Sequence, residues 1–232
     1  MDKTSNSRSN KIDEETMNGA IAIFVKTVGF SEVKTRLAKD IGKEKAEEFY
    51  LLSLNATKEI VQNLPPKLNI TPYWAIAEKD ALNEPRWRDF ERIWTGQGEL
   101  GNRLHNVYSQ LQKMYDFVIL IGSDTPQITA DIIEKAVGLI DKNSFVIGSA
   151  KDGGFYLFAG CLPVKKETWL STPYSVSNTK EVLVRKLACT VNELMPMSDV
   201  DDIDSLRTLT FSIIKTTPYQ GKLKSWINYN FK

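Results

Sequence analysis

Apolar residues fall into two alternating patterns along this chain. One is the short unbroken run, plainest in GAIAIFVK from Gly19 to Lys26 and in FVILI from Phe117 to Ile121. Apolar runs of this length, rich in β-branched residues, predict strands buried on both faces of a parallel sheet. The other is helical recurrence: Ala46, Phe49, Tyr50, Leu54, Ile60 and Val61 predict a crossover helix over Lys43 to Leu64, ended by Pro65-Pro66, with its aromatic pair in the core. Further strands are expected at Asn69 to Ala77, Arg92 to Thr95, Ser144 to Ala150 and Thr190 to Met195, with an outgoing strand after Gly154. Pro72 sets the start of the second strand at an edge or ahead of the ladder. Helices are expected at Glu99 to Tyr115, Ala130 to Ile140 and Thr179 to Leu187. In the first of these, Leu100, Leu104, Val107, Leu111 and Met114 form the stripe expected to be buried. The segment from Pro218 to Lys232, with Trp226, Tyr229 and Phe231, is expected to pack as a terminal helix over the sheet. Strands alternating with helices make this an α/β chain, with a mostly parallel central sheet flanked by helices.

Composition narrows the picture. With 232 residues and 42% apolar content, residues 19–232 fit one domain better than two. The first eighteen residues, MDKTSNSRSNKIDEETMN, lack an apolar run and read as a flexible polar tail rather than a signal peptide. No apolar stretch elsewhere approaches the length of a membrane span, so a soluble, cytoplasmic protein is expected. A net charge of +1, with acids and bases interspersed, gives no field that argues for nucleic acid, which leaves small molecules as the expected partners. Cys161 and Cys189 are isolated and read as reduced, packed thiols.

Candidate chemistry gathers at the predicted carboxyl ends of strands, where open α/β sheets bind their ligands. Asp124 follows the central run in LIGSDTP. Gly122 permits a sharp exit from the sheet and Pro126 stops the strand, so Asp124 is presented either as a ligand for a phosphate-bearing cation or as a cap of the next turn. After the first strand, Lys26, Lys34 and Arg36 surround a loop that carries neither a P-loop nor a dinucleotide glycine pattern. They read as phosphate partners, point charge and fork together, or as a solvated basic loop. Arg103 either reaches phosphate or pairs with Glu99 one turn away. His105, the only histidine, has no placed partner and is left out of the site. Asp152-Gly153-Gly154 at another strand end reads as a site where backbone approaches a ligand, or as a plain Asp-Gly turn. Asp199, Asp201, Asp202 and Asp204 crowd four acids into six residues. Capping is expected for Asp204 and extends to Asp202, whereas a divalent metal between Asp124 and either Asp199 or Asp201 would use the remaining charge.

In order along the chain, FVKTVGFSEVKTRLA, GQGELGNRL, LIGSDTPQIT, GSAKDGGFYLFA and DVDDIDSL resemble a bacterial family of GT-A-like transferases of uncharacterised function, often described as radical-SAM/selenodomain-associated transferase or glycosyltransferase. The resemblance covers essentially residues 20–210 and extends, more distantly, to phospholactate and molybdenum-cofactor guanylyltransferases. It implies a single Rossmann-like nucleotide-diphospho-sugar transferase domain using Mg2+ or Mn2+. On the matching motifs it implies donor phosphate contacts at Lys26, Lys34, Thr35 and Arg36, a central acid at Asp124, an acceptor side at Asp152, Gly153 and Gly154, and a late acid at Asp201. The chain departs from the family's pattern at Val28 and Ser31, where proline and glycine are usual, at Glu99 and Asp202, and in the spacing of WLSTPYSV. The combined expectation is metal-dependent transfer from a nucleotide-activated donor to a small-molecule acceptor, with Asp124 and Asp152 as catalytic groups. Glycosyl transfer leads, and nucleotidyl transfer from a triphosphate or a non-catalytic nucleotide-binding module are the alternatives.

Overall fold

The computed structural model describes residues 17–213 and 216–231, so residues 1–16 of the expected polar tail lie outside it. Asn18, assigned to that tail, is already fastened to the next strand over: its N–H donates to Asp116 Oδ2 at 2.8 Å and its carbonyl accepts from the Asp116 N–H at 2.8 Å.

In chain order the elements are β1 (Gly19–Val25), α1 (Thr35–Ile41), α2 (Lys43–Gln62), β2 (Ile70–Ile76), β3 (Glu91–Trp94), α3 (Leu100–Leu111), β4 (Phe117–Gly122), α4 (Ala130–Gly138), β5 (Ser144–Ala150), β6 (Phe155–Gly160), α5 (Lys166–Leu170), α6 (Thr179–Leu187), β7 (Thr190–Met197), α7 (Ile203–Ser212) and α8 (Pro218–Asn230). The strands form one seven-stranded sheet in the order β3-β2-β1-β4-β6-β5-β7. Neighbours β3-β2, β2-β1, β1-β4 and β5-β7 run parallel, and only β6 is antiparallel to its neighbours β4 and β5. Six strands therefore deliver their carboxyl ends to the same edge of the sheet, and β6 departs from it.

The unbroken apolar runs are explained by what lies on each face. Alternate residues of a strand point opposite ways, and in β1 and β4 both sets are covered. Ile21, Ile23, Ile119 and Ile121 join one core with residues of α2 and α4, while Ala20, Ala22, Val118 and Leu120 join a second with residues of α3. Pro72 sits in register with Ile21, and β3 begins pairing only at Tyr73, so the proline lies at a locally open edge as its missing N–H requires.

Two packing expectations are corrected. In α3 the buried set is Gly101, Leu104, Val107, Tyr108 and Leu111, whereas Leu100 and Met114 are 43% and 58% exposed. Leu100 stands in the first turn beyond the sheet edge, and Met114 belongs to the turn after the helix, so neither is on the face that meets the sheet. The C-terminal helix α8 does not cover the sheet, because α2 already occupies that face. Instead Leu223 and Ile227 join Leu37, Phe49, Leu206 and Leu209 in a third core among α1, α2, α7 and α8. Tyr229 is exposed, while Trp226 packs its ring against Phe49.

One side chain ties this outer layer to the sheet edge. Gln220, 1% exposed, accepts from the Thr217 N–H in a capping box and donates Nε2 to the carbonyls of Pro126 and Ile128 at 2.8 and 3.0 Å. Removing the amide would strand two buried carbonyls, a loss of about 2 to 6 kcal/mol at 1 to 3 kcal/mol for each unsatisfied group. Gln220→Ala is therefore expected to lower the urea midpoint at unchanged m-value; a midpoint equal to that of the wild type would show that the clamp contributes nothing.

Candidate functional site

The carboxyl edge of the sheet opens into a cavity of about 1040 Å³. Its lining includes Lys26, Lys34, Thr35 and Arg36 after β1, Asp124 after β4, and Asp152 and Gly154 between β5 and β6. Asp199 and Asp201 reach it from the segment after β7, and Arg103 from α3. Every site residue expected from the sequence except Gly153 thus faces a common space.

At its centre stands Lys34. Its backbone is in the left-handed region (φ 47°), which costs about 1 to 2 kcal/mol for a residue with a Cβ, and its side chain is only 4% exposed. The ammonium donates to the carbonyl of Val200 at 2.6 Å, lies 2.9 Å from Asp124 Oδ1 and 3.8 Å from Asp201 Oδ1. Charge-assisted hydrogen bonds of this length offset the backbone strain. Lys34 thus faces the acids as well as the cavity. Arg36, with 68% of its side chain exposed, meets Asp201 Oδ2 at 3.2 Å. An exposed pair of this kind is worth about 0 to 1 kcal/mol, so the guanidinium is free to move to an arriving anion.

Crosslinks hold the acids in place. Gln127 donates Nε2 to the carbonyl of Ser198 at 2.7 Å, joining the Asp124 loop to the residue before Asp199. Asp202 is the N-cap of α7, accepting from the Ser205 N–H at 2.8 Å in a capping box, and Asp204 lies in the first helical turn. Capping therefore belongs to Asp202 rather than Asp204, because the helix begins two residues earlier than a cap at Asp204 would require.

Asp199 carries the strongest electrostatic signature. Burial, then the neighbouring carboxylates of Asp124, Asp152 and Asp201, push its pKa up to about 7 against the opposing pull of Lys34. Among the described residues, nothing hydrogen-bonds to its buried Oδ1. A buried oxygen in this state favours a proton or a cation beside it. No group of three or more His, Cys, Asp or Glu side chains among the described residues forms a self-sufficient metal cage. Mg2+ needs none when phosphates share its shell, since one or two carboxylates then suffice. Asp124 and Asp199 fit that smaller demand.

Other positions serve the site indirectly. The guanidinium of Arg103 donates to the carbonyls of Gly98 and Ala77 and to Thr95 Oγ1, at 2.9 to 3.1 Å, and so binds the ends of β2 and β3 to α3; it makes no ion pair with Glu99. Lys26 donates Nζ to the Glu32 carbonyl at 3.3 Å. Gly154 N–H donates to Asp152 Oδ1 at 2.9 Å, fixing the acidic turn. Gly153 has φ 93°, and a Cβ there would lie 1.8 Å from the Ser177 carbonyl oxygen, so it serves the close approach of the 174–177 loop rather than lining the cavity. His105 stays outside the lining.

Three contributors were not expected. The Tyr50 hydroxyl accepts from the Lys26 N–H at 2.9 Å and donates to its carbonyl at 2.8 Å, and burial keeps that hydroxyl protonated. Glu78 accepts from the Thr27 N–H at 3.0 Å. Tyr174 to Ser177 form one rim of the cavity. Phe49-Tyr50 in the crossover helix is the sequence trace of the first; the others depend on tertiary approach.

Residues 60–175 match a family described as "Uncharacterized protein conserved in bacteria" (DUF2064). No curated protein matches the chain in sequence. Among solved structures, a protein of Desulfovibrio desulfuricans G20, provisionally described as a nucleotide-diphospho-sugar transferase, superposes with a TM-score of 0.80 at 22% identity, over 91% of this chain and 94% of its own. The 4-diphosphocytidyl-2C-methyl-D-erythritol synthase of Anaerococcus prevotii DSM 20548 gives a TM-score of 0.52 at 12% identity, over 92% and 97% of the two chains. A nucleotidyl transferase of Methanothermobacter thermautotroptrophicus gives 0.52 at 10% identity, over 92% and 98%. This chain shares its fold with these proteins.

The raised pKa of Asp199 has a definite sign in stability. Between about pH 4 and 7 the folded chain holds a proton that the unfolded chain has released, so stability falls as pH rises through that window, by on the order of 4 kcal/mol at full effect. In chelator-treated protein, Asp199→Asn is expected to flatten the decline in urea-unfolding free energy between pH 5 and 8.5. An equally steep decline in the variant would mean that Asp199 is ionised without cost.

Proposed function

The chain belongs to the DUF2064 family, and from that premise we propose that it is a metal-dependent transferase acting on a nucleotide-activated donor, with glycosyl transfer from a sugar nucleotide as its reaction. One observation carries the reading: the cations after β1 and the acids after β4 and β7 line the same cavity edge, within contact of one another. Opposed charges at the carboxyl edge of an open α/β sheet suit a diphosphate together with its counter-cation. The likeness in fold to a protein described provisionally as a nucleotide-diphospho-sugar transferase supports the same class.

In this reading Asp124 and Asp199 would hold Mg2+ or Mn2+, with Asp201 beside them on the same cavity wall. When bound, the cation supplies neutralising charge to the donor phosphates. Arg36 swings from Asp201 to the phosphates as a bidentate fork, and Lys34 and Lys26 add point charges. Thr35 and Arg103 stand on the same wall, Arg103 chiefly as the brace that keeps the β2 and β3 ends closed over the donor. The acceptor hydroxyl oxygen forms a bond to the anomeric carbon as the bond from that carbon to the diphosphate oxygen breaks. The bonding pair leaves with the nucleoside diphosphate, and the hydroxyl proton passes to Asp152 or to solvent. Stabilising charge on the leaving diphosphate is the main service the cluster offers.

A second reading, nucleotidyl transfer with release of pyrophosphate, is supported by the nucleotidyl transferase of Methanothermobacter thermautotroptrophicus, which shares the fold over 92% of this chain. The same electrostatic clamp serves it. Product analysis separates the two: nucleoside diphosphate released from a sugar nucleotide supports the first, and pyrophosphate released from a triphosphate supports the second.

Asp124→Asn tests the clamp. Calorimetry with UDP and GDP, with and without Mn2+, is expected to show metal-dependent binding in the wild type and at least tenfold weaker binding in the variant. Equal affinities would remove Asp124 from the metal role.

A further inference from the structure

Charged side chains reach the cavity from the ends of β1, β2, β4, β5 and β7 and from α3, and an apolar surface stands among them. Phe155 and Tyr174 pack against the second core, on the α3 side of the sheet, and both face the cavity. Leu100 and Val176 extend this surface outward and are 43% and 44% exposed. Isolated exposed apolar residues are ordinary, but four bordering one cavity are not.

This surface is held, not loosely draped. Tyr174 donates its hydroxyl to the Trp169 carbonyl at 3.0 Å. A Cβ on Gly101 would lie 2.5 Å from the Trp169 carbonyl oxygen and 2.9 Å from the Tyr174 ring, so the start of α3, which carries Leu100, abuts the same loop. Thr179 donates Oγ1 to the Val176 carbonyl at 2.8 Å, and Ser175 takes a left-handed backbone (φ 60°) to bring Val176 round. Gly153 lets Ser177 close against the Asp152 turn. The fold accepts local strain at Ser175 to keep an apolar side chain facing the cavity.

Resting on the transferase reading above, we infer that this wall is the acceptor subsite, and that the acceptor is an alcohol carried on an apolar body, an aromatic ring or short hydrocarbon, rather than a free sugar. The body lies on Phe155, Tyr174, Val176 and Leu100. The hydroxyl faces Asp152, next to Phe155 in the same turn. A donor base is a less suitable occupant, because the phosphates it must stay attached to belong with Lys34 and Arg36.

Saturation-transfer NMR with phenyl β-D-glucopyranoside and methyl β-D-glucopyranoside, on the full chain with saturating UDP or GDP and Mn2+ replaced by Mg2+, tests this. The phenyl glycoside is expected to bind at least tenfold more tightly than the methyl glycoside. Val176→Ser and Leu100→Ser, both at exposed positions, are expected to weaken it at least fivefold each while nucleotide affinity and melting temperature stay unchanged. Equal binding of the two glycosides, or displacement of the phenyl glycoside by nucleotide, would overturn the assignment, the latter giving the wall to the donor. Absence of any nucleotide binding by the wild type would instead count against the transferase reading, while the glycoside comparison still decides the apolar subsite.

Discussion

The ammonium of Lys34, 2.6 Å from the Val200 carbonyl and 2.9 Å from Asp124 Oδ1, joins the loops that leave β1, β4 and β7. These strands are not all neighbours: β6 and β5 separate β4 from β7. Without a cation between them, Asp124, Asp199 and Asp201 would oppose one another in a partly desolvated corner, where unit charges interact far more strongly than in water. The left-handed backbone at Lys34 is the local cost of delivering that cation, and the Gln127 and Gln220 bonds secure the backbone it reaches. Asp199 is still incompletely compensated, with a pKa pushed up to about 7 and an oxygen that has no partner among the described residues. The corner is stable enough to persist and short of positive charge, a state that suits a site which receives a cation with its ligand.

The same edge supplies an unlike surface. On the α3 side, Phe155 and Tyr174 continue the core into the cavity, and Leu100 and Val176 finish its rim. Because both cores of a two-faced sheet end at one carboxyl edge, a ligand there can be charged on one side and apolar on the other without any further domain. The antiparallel β6 matters here, since its start places Asp152, Gly154 and Phe155 in one short turn between the two surfaces.

Much of this was legible in the residue order. Unbroken apolar runs gave the buried strands because both faces of the sheet are covered, and Gly122, Pro126 and the Asp-Gly-Gly turn marked where chain leaves the sheet edge. The cavity gathers the predicted acids and bases at one edge. What was not legible depended on register between distant elements. α1 was missed because its seven residues are too few to show a period. Leu100 and Met114 fit the helical stripe yet stand outside the contact face, which only the sheet boundary defines. Asp202 rather than Asp204 caps α7 because the start of that helix is set by its packing in the third core. Tyr50 reads as core, and its hydroxyl meets Lys26 only because α2 crosses over the end of β1. Gly153 was expected to face a ligand, but its freedom is used to admit Ser177.

The central claim, that acids from separate strands converge on a cation gripping a diphosphate, is tested most directly by anomalous diffraction from crystals grown with Mn2+ and UDP or GDP. The account predicts a manganese peak at about 2 Å from carboxylate oxygens of Asp124 and Asp199, with the diphosphate between it and the Arg36 guanidinium. A manganese peak bound elsewhere, or a diphosphate lying away from the Lys34 corner, would contradict it.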